Sequence, residues 1–141
     1  MKYNKYPGHM EYALLIDDII AWCFEKFGMS KFHDDTPFIE IERGHEKLMG
    51  EYRSDSNTVI IYYKYIRNID ELISTVIHEY THFLQSPGWY TRYFNLGYNE
   101  DDNPYEIIAE QTARHYTKIC KKELGLTNRH LLDIANTKHT G

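Results

Sequence analysis

The segment from Ile69 to Gln85 restricts the fold of this chain more than any other part of its sequence. Its residues have helical periodicity, with an apolar stripe on one face and polar side chains on another. The apolar stripe contains Ile73, Ile77, Tyr80 and Leu84, and the polar face contains Thr75, His78, His82 and Gln85. Asn68 or Asp70 could cap this helix, and the Ser-Pro-Gly sequence at 86–88 ends it. Such a helix needs a hydrophobic core on one side and leaves its other side open for a site.

The remainder of the chain combines helical and strand patterns, which predicts an α+β fold. Further helices are predicted at 9–28 and 103–125, a short final helix at 131–135, and strands at 38–42, 51–53 and 58–63. Residues 86–103 contain glycines and an acidic run, and we expect a long loop there. No repeat or linker interrupts these patterns, so residues 1–141 are expected to form a single domain in which a small sheet packs on helices.

Charge and composition narrow the classes of partner. The 141 residues have a formal net charge of −5, so we expect no nucleic-acid partner, because phosphate binding needs clustered positive charge. The start of the chain lacks the apolar segment of a signal peptide, and no apolar run is long enough to span a membrane. We therefore expect a cytoplasmic protein with no membrane partner, in which Cys23 and Cys120 are reduced core residues.

The polar face of the 69–85 helix carries a motif that can bind a metal ion. Residues 78–82 have the pattern His-Glu-x-x-His. On a helix, His78 and His82 lie on one face, so both imidazoles can reach the same metal ion, and imidazole nitrogen suits zinc. Glu79 follows the first histidine, at the flank of such a site, where it can hold a water molecule. The pattern therefore predicts a zinc site with Glu79 as general base.

A third ligand must come from elsewhere, because a catalytic zinc ion usually has three protein ligands and an open fourth position. Glu106 and Glu110 are the main candidates, since they are four residues apart and share one face of the predicted 103–125 helix. The loop acid Asp101 is a further candidate. Asn103 and Pro104 also fit a capping box, in which Glu106 would only close the start of the helix and Glu110 would be the ligand.

These segments resemble the zincin metallopeptidases, and specifically the gluzincin-like group. In that family, two histidines of a His-Glu-x-x-His helix and a glutamate of a later helix bind zinc, and residues 106–110 are similar to its Glu-x-x-Ala-Glu signature. The resemblance implies that Glu106 binds zinc and that Glu110 orients His78 or His82. It covers residues 58–120, in which Asn-Pro-Tyr-Glu and His-Glu-Tyr-Thr-His-Phe-Leu-Gln are also similar to small metallopeptidase-like proteins of bacteria and phages.

The resemblance also implies a minimal zincin-like domain, in which a small twisted sheet packs on the zinc helix and the glutamate helix. The strand at 58–63 would be the sheet edge along which an extended substrate lies. Gly88 occupies the position of the third histidine of a metzincin, which excludes that pattern. A peptidase also needs a group that stabilises the oxyanion. The candidates by position are Tyr98, Tyr105, Tyr116 and His115.

The expected function is therefore that of a zinc-dependent metallopeptidase that acts on a peptide or protein substrate. It would hydrolyse peptide bonds through a metal-activated water, with Glu79 as general base and one zinc ion as cofactor. The alternative is a non-catalytic zinc-binding accessory or partner-binding protein with a zincin-like fold. A third interpretation is a latent enzyme whose terminal segment blocks the cleft. The acidic run at 100–102 could select basic substrates, bind calcium or be a solvated loop.

Overall fold

The structure, a computed structural model, describes residues 8–44 and 48–131. It combines helices with a three-stranded mixed sheet, which confirms the predicted α+β class. The elements are α1 (His9–Phe27), β1 (Phe38–Glu42), β2 (Gly50–Arg53), β3 (Thr58–Tyr62), α2 (Ile69–Leu84), α3 (Pro87–Asn95) and α4 (Pro104–Leu124). A further helical segment begins at 128, and residues 132–135 of the predicted final helix lie outside the described residues. No helix within the described ranges is both long and apolar enough to cross a membrane.

The sheet has the order β1-β3-β2, so β3 is its central strand. β1 is parallel to β3 with Phe38 opposite Thr58, and β2 is antiparallel to β3 with Gly50 opposite Ile61. All five residues of β3 are buried. The expectation that residues 58–63 form the sheet edge is therefore wrong. The Val-Ile-Ile run of β3 is apolar toward both faces of the sheet, which is typical of a central strand. β2 lies on the opposite side of β3 from β1 and forms an edge of the sheet.

Helix α2 lies at the centre of the hydrophobic core and contacts α1, α4, β2 and β3. Its fully buried side chains are Ile69, Leu72, Ile73, Val76, Ile77, Tyr80 and Phe83. The Tyr80 hydroxyl donates a hydrogen bond to the Gly28 carbonyl at 2.7 Å, so the one polar atom of that side chain has a partner within the core. Cys23 and Cys120 are buried and unbonded, as the sequence predicts. The apolar face of α2 thus packs in the core, and His78 and His82 lie on a different face of the helix.

Side-chain and backbone signals mark both ends of α2. Asn68, one of the two predicted caps, accepts a hydrogen bond from the Glu71 backbone N–H at 2.9 Å. The helix ends at Leu84, with Gln85 extended after it. The prediction that residues 86–103 form one long loop is wrong, because α3 occupies Pro87–Asn95. Proline ends one helix but also suits the first position of the next, because its missing N–H would have no partner there in any case.

Candidate metal centre

Side chains from α2 and α4 converge on one point. His78 and His82 place their Nε2 atoms 3.3 Å apart. Oε1 of Glu106 lies 2.7 Å from His82 Nε2, and Oε2 of Glu106 lies 3.4 Å from His78 Nε2. Two ligand atoms bound at zinc distances in a tetrahedron are about 3.3–3.4 Å apart. The separations from His78 Nε2 to His82 Nε2 and to Oε2 of Glu106 match that value, whereas the 2.7 Å between His82 Nε2 and Oε1 of Glu106 is a hydrogen-bond distance. These three side chains could therefore hold a metal ion.

The two helices can approach closely because small residues lie between them. Ala109 and Ala113 of α4 are both buried, and α4 packs along α2. Ala109 is three residues after Glu106, so it lies on the neighbouring turn of the same helix face. The small side chain allows α4 to lie close enough for the Glu106 carboxylate to reach both histidines. Among residues 8–44 and 48–131, His78, His82 and Glu106 form a group whose ligand atoms all lie within 4.8 Å of one another.

The histidine rings are held by partners on their far sides. His82 Nδ1 lies 2.8 Å from Gln85 Oε1, and the Gln85 amide donates to the Tyr105 carbonyl at 3.0 Å. With a metal ion bound, a proton on Nδ1 donated to Gln85 would leave the lone pair of His82 Nε2 for the ion, whereas in the metal-free protein Nε2 donates its proton to Glu106. His78 Nδ1 lies 3.7 Å from Oε2 of Glu110. Glu110 therefore lies beside the ring nitrogen that faces away from Glu106.

Glu106 points toward the histidines and not back toward the start of its own helix. Asn103 accepts a hydrogen bond from the Tyr105 backbone N–H at 2.9 Å, and its own N–H donates to the Asn99 carbonyl at 2.9 Å. The backbone N–H that a capping-box glutamate would bind is thus already bonded. The Glu106 carboxylate instead accepts a hydrogen bond from the Tyr90 hydroxyl at 2.9 Å.

The electrostatics of Glu106 favour its charged form. Burial alone would raise its pKa, but hydrogen bonds from His78 and His82, with a further one from Tyr90, hold the pKa well below its usual range. The pKa of Tyr90 is raised, first by burial and then by the nearby charge of Glu106. Tyr90 therefore stays protonated and donates, while Glu106 offers a full negative charge to a cation.

Glu79 lies beside this group with most of its surface buried. The residue is 8% exposed, and it forms no hydrogen bond or ion pair with any residue that the structure describes. Burial is the main cause that raises its pKa to about 8. The electrostatic interaction with His82 lowers the pKa of Glu79. The negative charges of Glu106, Glu51 and Glu100 raise it further. The carboxylate is thus available to a ligand or a water molecule at the centre.

The convergence point opens into a cavity of about 570 Å³. Its lining comes from β2 and the two residues before it, from the polar face of α2, from α3 and the loop after α3, and from the first turns of α4. The carboxylates in the lining belong to Glu51, Glu79, Glu100, Glu106 and Glu110. No lysine or arginine from the described part of the chain lines the cavity. A ligand of the metal ion would therefore enter a cleft with negative charge on several sides.

The four residues proposed by position as oxyanion stabilisers do not line this cavity. They are Tyr98, Tyr105, Tyr116 and His115. The rings of Tyr98 and Tyr105 pack on Tyr93, with centroids 5.6 and 5.5 Å away. Tyr116 packs on Phe27 at 5.0 Å, and the ring of His115 lies against Tyr116. Asp101, the loop acid considered as a ligand, is also outside the lining.

Three residues to which the sequence analysis assigned no role at the metal site contribute to the centre. Tyr90 binds Glu106, Gln85 binds His82, and Gly50 allows β2 to lie against α2 beside Glu79. A Cβ atom at Gly50 would lie 2.8 Å from Cγ2 of Thr75 and 3.2 Å from Cγ of Glu79. The position of Gln85 three residues after His82 is a signal that sequence reasoning could have used.

Comparisons with models of known protein families, with curated proteins and with solved structures found no match. The assignment of the centre therefore depends on its own geometry. Two imidazole nitrogens and a carboxylate, at the separations given above, could hold one metal ion.

Proposed function

We propose that the protein is a zinc-dependent metallopeptidase, with zinc held by His78, His82 and Glu106. The observation that carries the proposal is the convergence of these ligand atoms at the wall of an open cavity, next to the buried and unpartnered carboxylate of Glu79. A set of two nitrogens and one oxygen suits zinc and leaves a position open for catalysis. When bound, zinc supplies Lewis-acid polarisation of the scissile carbonyl and lowers the pKa of water.

Glu79 is the proposed general base. Its carboxylate takes the proton from the attacking water and passes it to the amine of the departing peptide. One feature supports this role. Glu79 lines the cavity beside the proposed ligands and has no hydrogen bond to the described residues that the transfer would need to break. Gln85 and Tyr90 would act as positioning residues, because each binds a proposed ligand and not the reacting atoms.

The proposed path of the substrate follows the edge strand β2. Residues opposite one another in antiparallel strands alternate between bonded and non-bonded pairs. Because the Met49 carbonyl accepts from the Tyr62 N–H at 2.9 Å, the bonded residues of β2 are Glu51 and Arg53. The backbone N–H and C=O groups of Gly50 and Tyr52 then point away from β3. An extended peptide could add to this edge as a further strand and lie along the cavity.

The Glu79→Gln substitution tests the proposal. The metal-loaded variant should keep one zinc ion, because the change removes none of the three ligands, and should lose peptide hydrolysis by at least about a hundredfold. Hydrolysis is measured by mass spectrometry on a mixture of peptides, and zinc by elemental mass spectrometry. Glu51→Gln is the matched control, because it makes the same change at another carboxylate of the cavity lining and should leave hydrolysis largely intact.

The alternative function, a non-catalytic zinc-binding accessory or partner-binding protein, gives the opposite result. Wild-type protein that holds zinc, cleaves no peptide of the mixture and behaves as the Glu79→Gln variant does would contradict the proposed peptidase.

A further inference from the structure

Some of the acidic side chains that line the cavity pair with arginines, and others do not. Glu51 pairs with Arg53 at 2.6 Å, and Glu110 pairs with Arg114 at 3.4 Å. Both arginines are mostly exposed and lie outside the cavity lining. Glu100 differs from these acids, because it forms no hydrogen bond or ion pair with a residue in the described ranges. It therefore presents an uncompensated negative charge to the cavity.

The loop between α3 and α4 fixes the place of Glu100. The Asn99 side chain accepts hydrogen bonds from the backbone N–H groups of Asp101 and Asp102, at 3.0 and 3.1 Å. Asp102 in turn accepts from the Asn99 N–H at 2.6 Å. This compact turn uses the Asp102 side chain within the loop, whereas Glu100 lines the cavity. Tyr90 lines the same cavity as Glu100.

The carboxylate of Glu79 is a second feature of the same cavity that would favour a positively charged ligand. Glu79 is more than nine-tenths buried, faces the cavity and has no partner among the described residues. In its ionised form this carboxylate adds negative charge to the cavity, and a ligand with positive charge would compensate it. Glu79 and Glu100 lie on different elements, α2 and the loop before α4, so they attract a cation independently.

We propose that the cleft takes peptides with a lysine or arginine side chain close to the scissile bond, and that Glu100 binds the charged head group. The inference rests on the proposed function and adds the substrate class. The apolar stem of the side chain would lie on the ring of Tyr90 and beside Thr91, which line the same cavity as Glu100. The head group would reach the Glu100 carboxylate and gain further attraction from the face of the Tyr90 ring.

The test uses two pools of end-capped synthetic peptides that differ only in a central lysine or norleucine. Norleucine keeps the apolar stem and lacks the charge. Metal-loaded wild-type protein should cleave the lysine pool about three- to fivefold faster, as expected for one exposed ion pair. Glu100→Gln should reduce that ratio below about twofold. Asp101→Asn, which makes the same change of charge next to Glu100 but outside the cavity lining, should keep the wild-type ratio.

A binding measurement separates this inference from the proposed function. The metal-loaded Glu79→Gln variant, with and without Glu100→Gln, is titrated with fluorescent forms of both pools. Preference for the lysine pool that depends on Glu100 supports the inference even if wild-type protein cleaves neither pool, in which case only the peptidase proposal fails. Equal cleavage of the two pools, equal binding of both, or no binding of either overturns the inference.

Discussion

Replacing Gly50 with alanine should destabilise the protein, because β2 lies too close to α2 for a Cβ atom. The added carbon would lie 2.8 Å from Cγ2 of Thr75 and 3.2 Å from both Cγ of Glu79 and the Ile60 carbonyl. Gly50 does not have a positive φ, so the backbone conformation itself tolerates alanine. The cost is therefore one of overpacking, about 1–3 kcal/mol in the free energy of unfolding. For a chain of this size, the midpoint temperature should fall by about 3–10 °C.

Urea unfolding of single and double variants tests this reasoning. Thr75→Ser removes the methyl group that a Cβ atom would meet and keeps the hydroxyl that donates to the Glu71 carbonyl at 2.7 Å. Combined with Gly50→Ala, it should recover at least about 1 kcal/mol of the loss. Gly88→Ala is the control, since its Cβ would have no neighbour closer than 3.9 Å and should leave stability equal or higher. A loss below about 0.5 kcal/mol for Gly50→Ala, or no recovery in the double variant, would refute the argument.

Three further predictions concern the centre itself. Zinc at about a hundred times its dissociation constant should stabilise the fold by about 2.7 kcal/mol, and a chelator should reverse the rise in Tm; an unchanged Tm would count against a metal site. Tyr90→Phe removes the hydrogen bond to Glu106 and should weaken zinc binding about tenfold in competition with a chelating dye, whereas equal affinity would show that this bond does not position the ligand. In metal-free protein, the pKa of Glu79 rises from 4.5 to about 8 on folding, so stability should fall as the pH rises through that range. Unfolding of Glu79→Gln at about pH 5 and about pH 8.5 should lack this fall, and a fall equal to that of the wild type would contradict the assigned cause.

Local periodicity predicted the helices of the centre well. The spacing that places His78 and His82 on one face also places Ile73 and Ile77 on the other, and α2 is observed with this division. The same reasoning placed Glu106 on a later helix with Pro104 at its start. These features depend on residues within one helix, so the sequence contains the information that they need.

Local periodicity could not predict the pairing of the strands or the presence of α3. Whether β3 or β2 forms the edge depends on which strands pair, and that pairing joins residues far apart in the chain. Helix α3 is short and has no buried residue, and it begins with Pro87 and Gly88, which are typical of a turn, so the i,i+4 spacing of its aromatic side chains was not interpreted as helical. Its rings instead pair along its own surface, with Trp89 on Tyr93 at 5.6 Å and Tyr90 on Phe94 at 5.2 Å.

The error over α3 is the reason that the tyrosine of the centre escaped prediction. A loop assignment gives Tyr90 no defined direction, whereas the helix turns it toward the Glu106 carboxylate. The positional candidates for an oxyanion group came from segments whose rings pack on other aromatic side chains. Contacts of this kind depend on how α3 and α4 lie relative to α2, which is a property of the tertiary structure.

Metal stoichiometry tests the central claim most directly. Elemental mass spectrometry on tag-free protein would compare the wild type with Glu106→Ala and Glu110→Ala. We expect one zinc ion per wild-type chain and loss of zinc in Glu106→Ala, because the Glu106 carboxylate lies at the convergence point. We expect zinc to be retained in Glu110→Ala, because the Glu110 carboxylate lies beside the outer nitrogen of His78 and not at the convergence point. Wild-type protein that binds no zinc after its addition, or a Glu106→Ala variant that keeps zinc while Glu110→Ala loses it, would contradict the account.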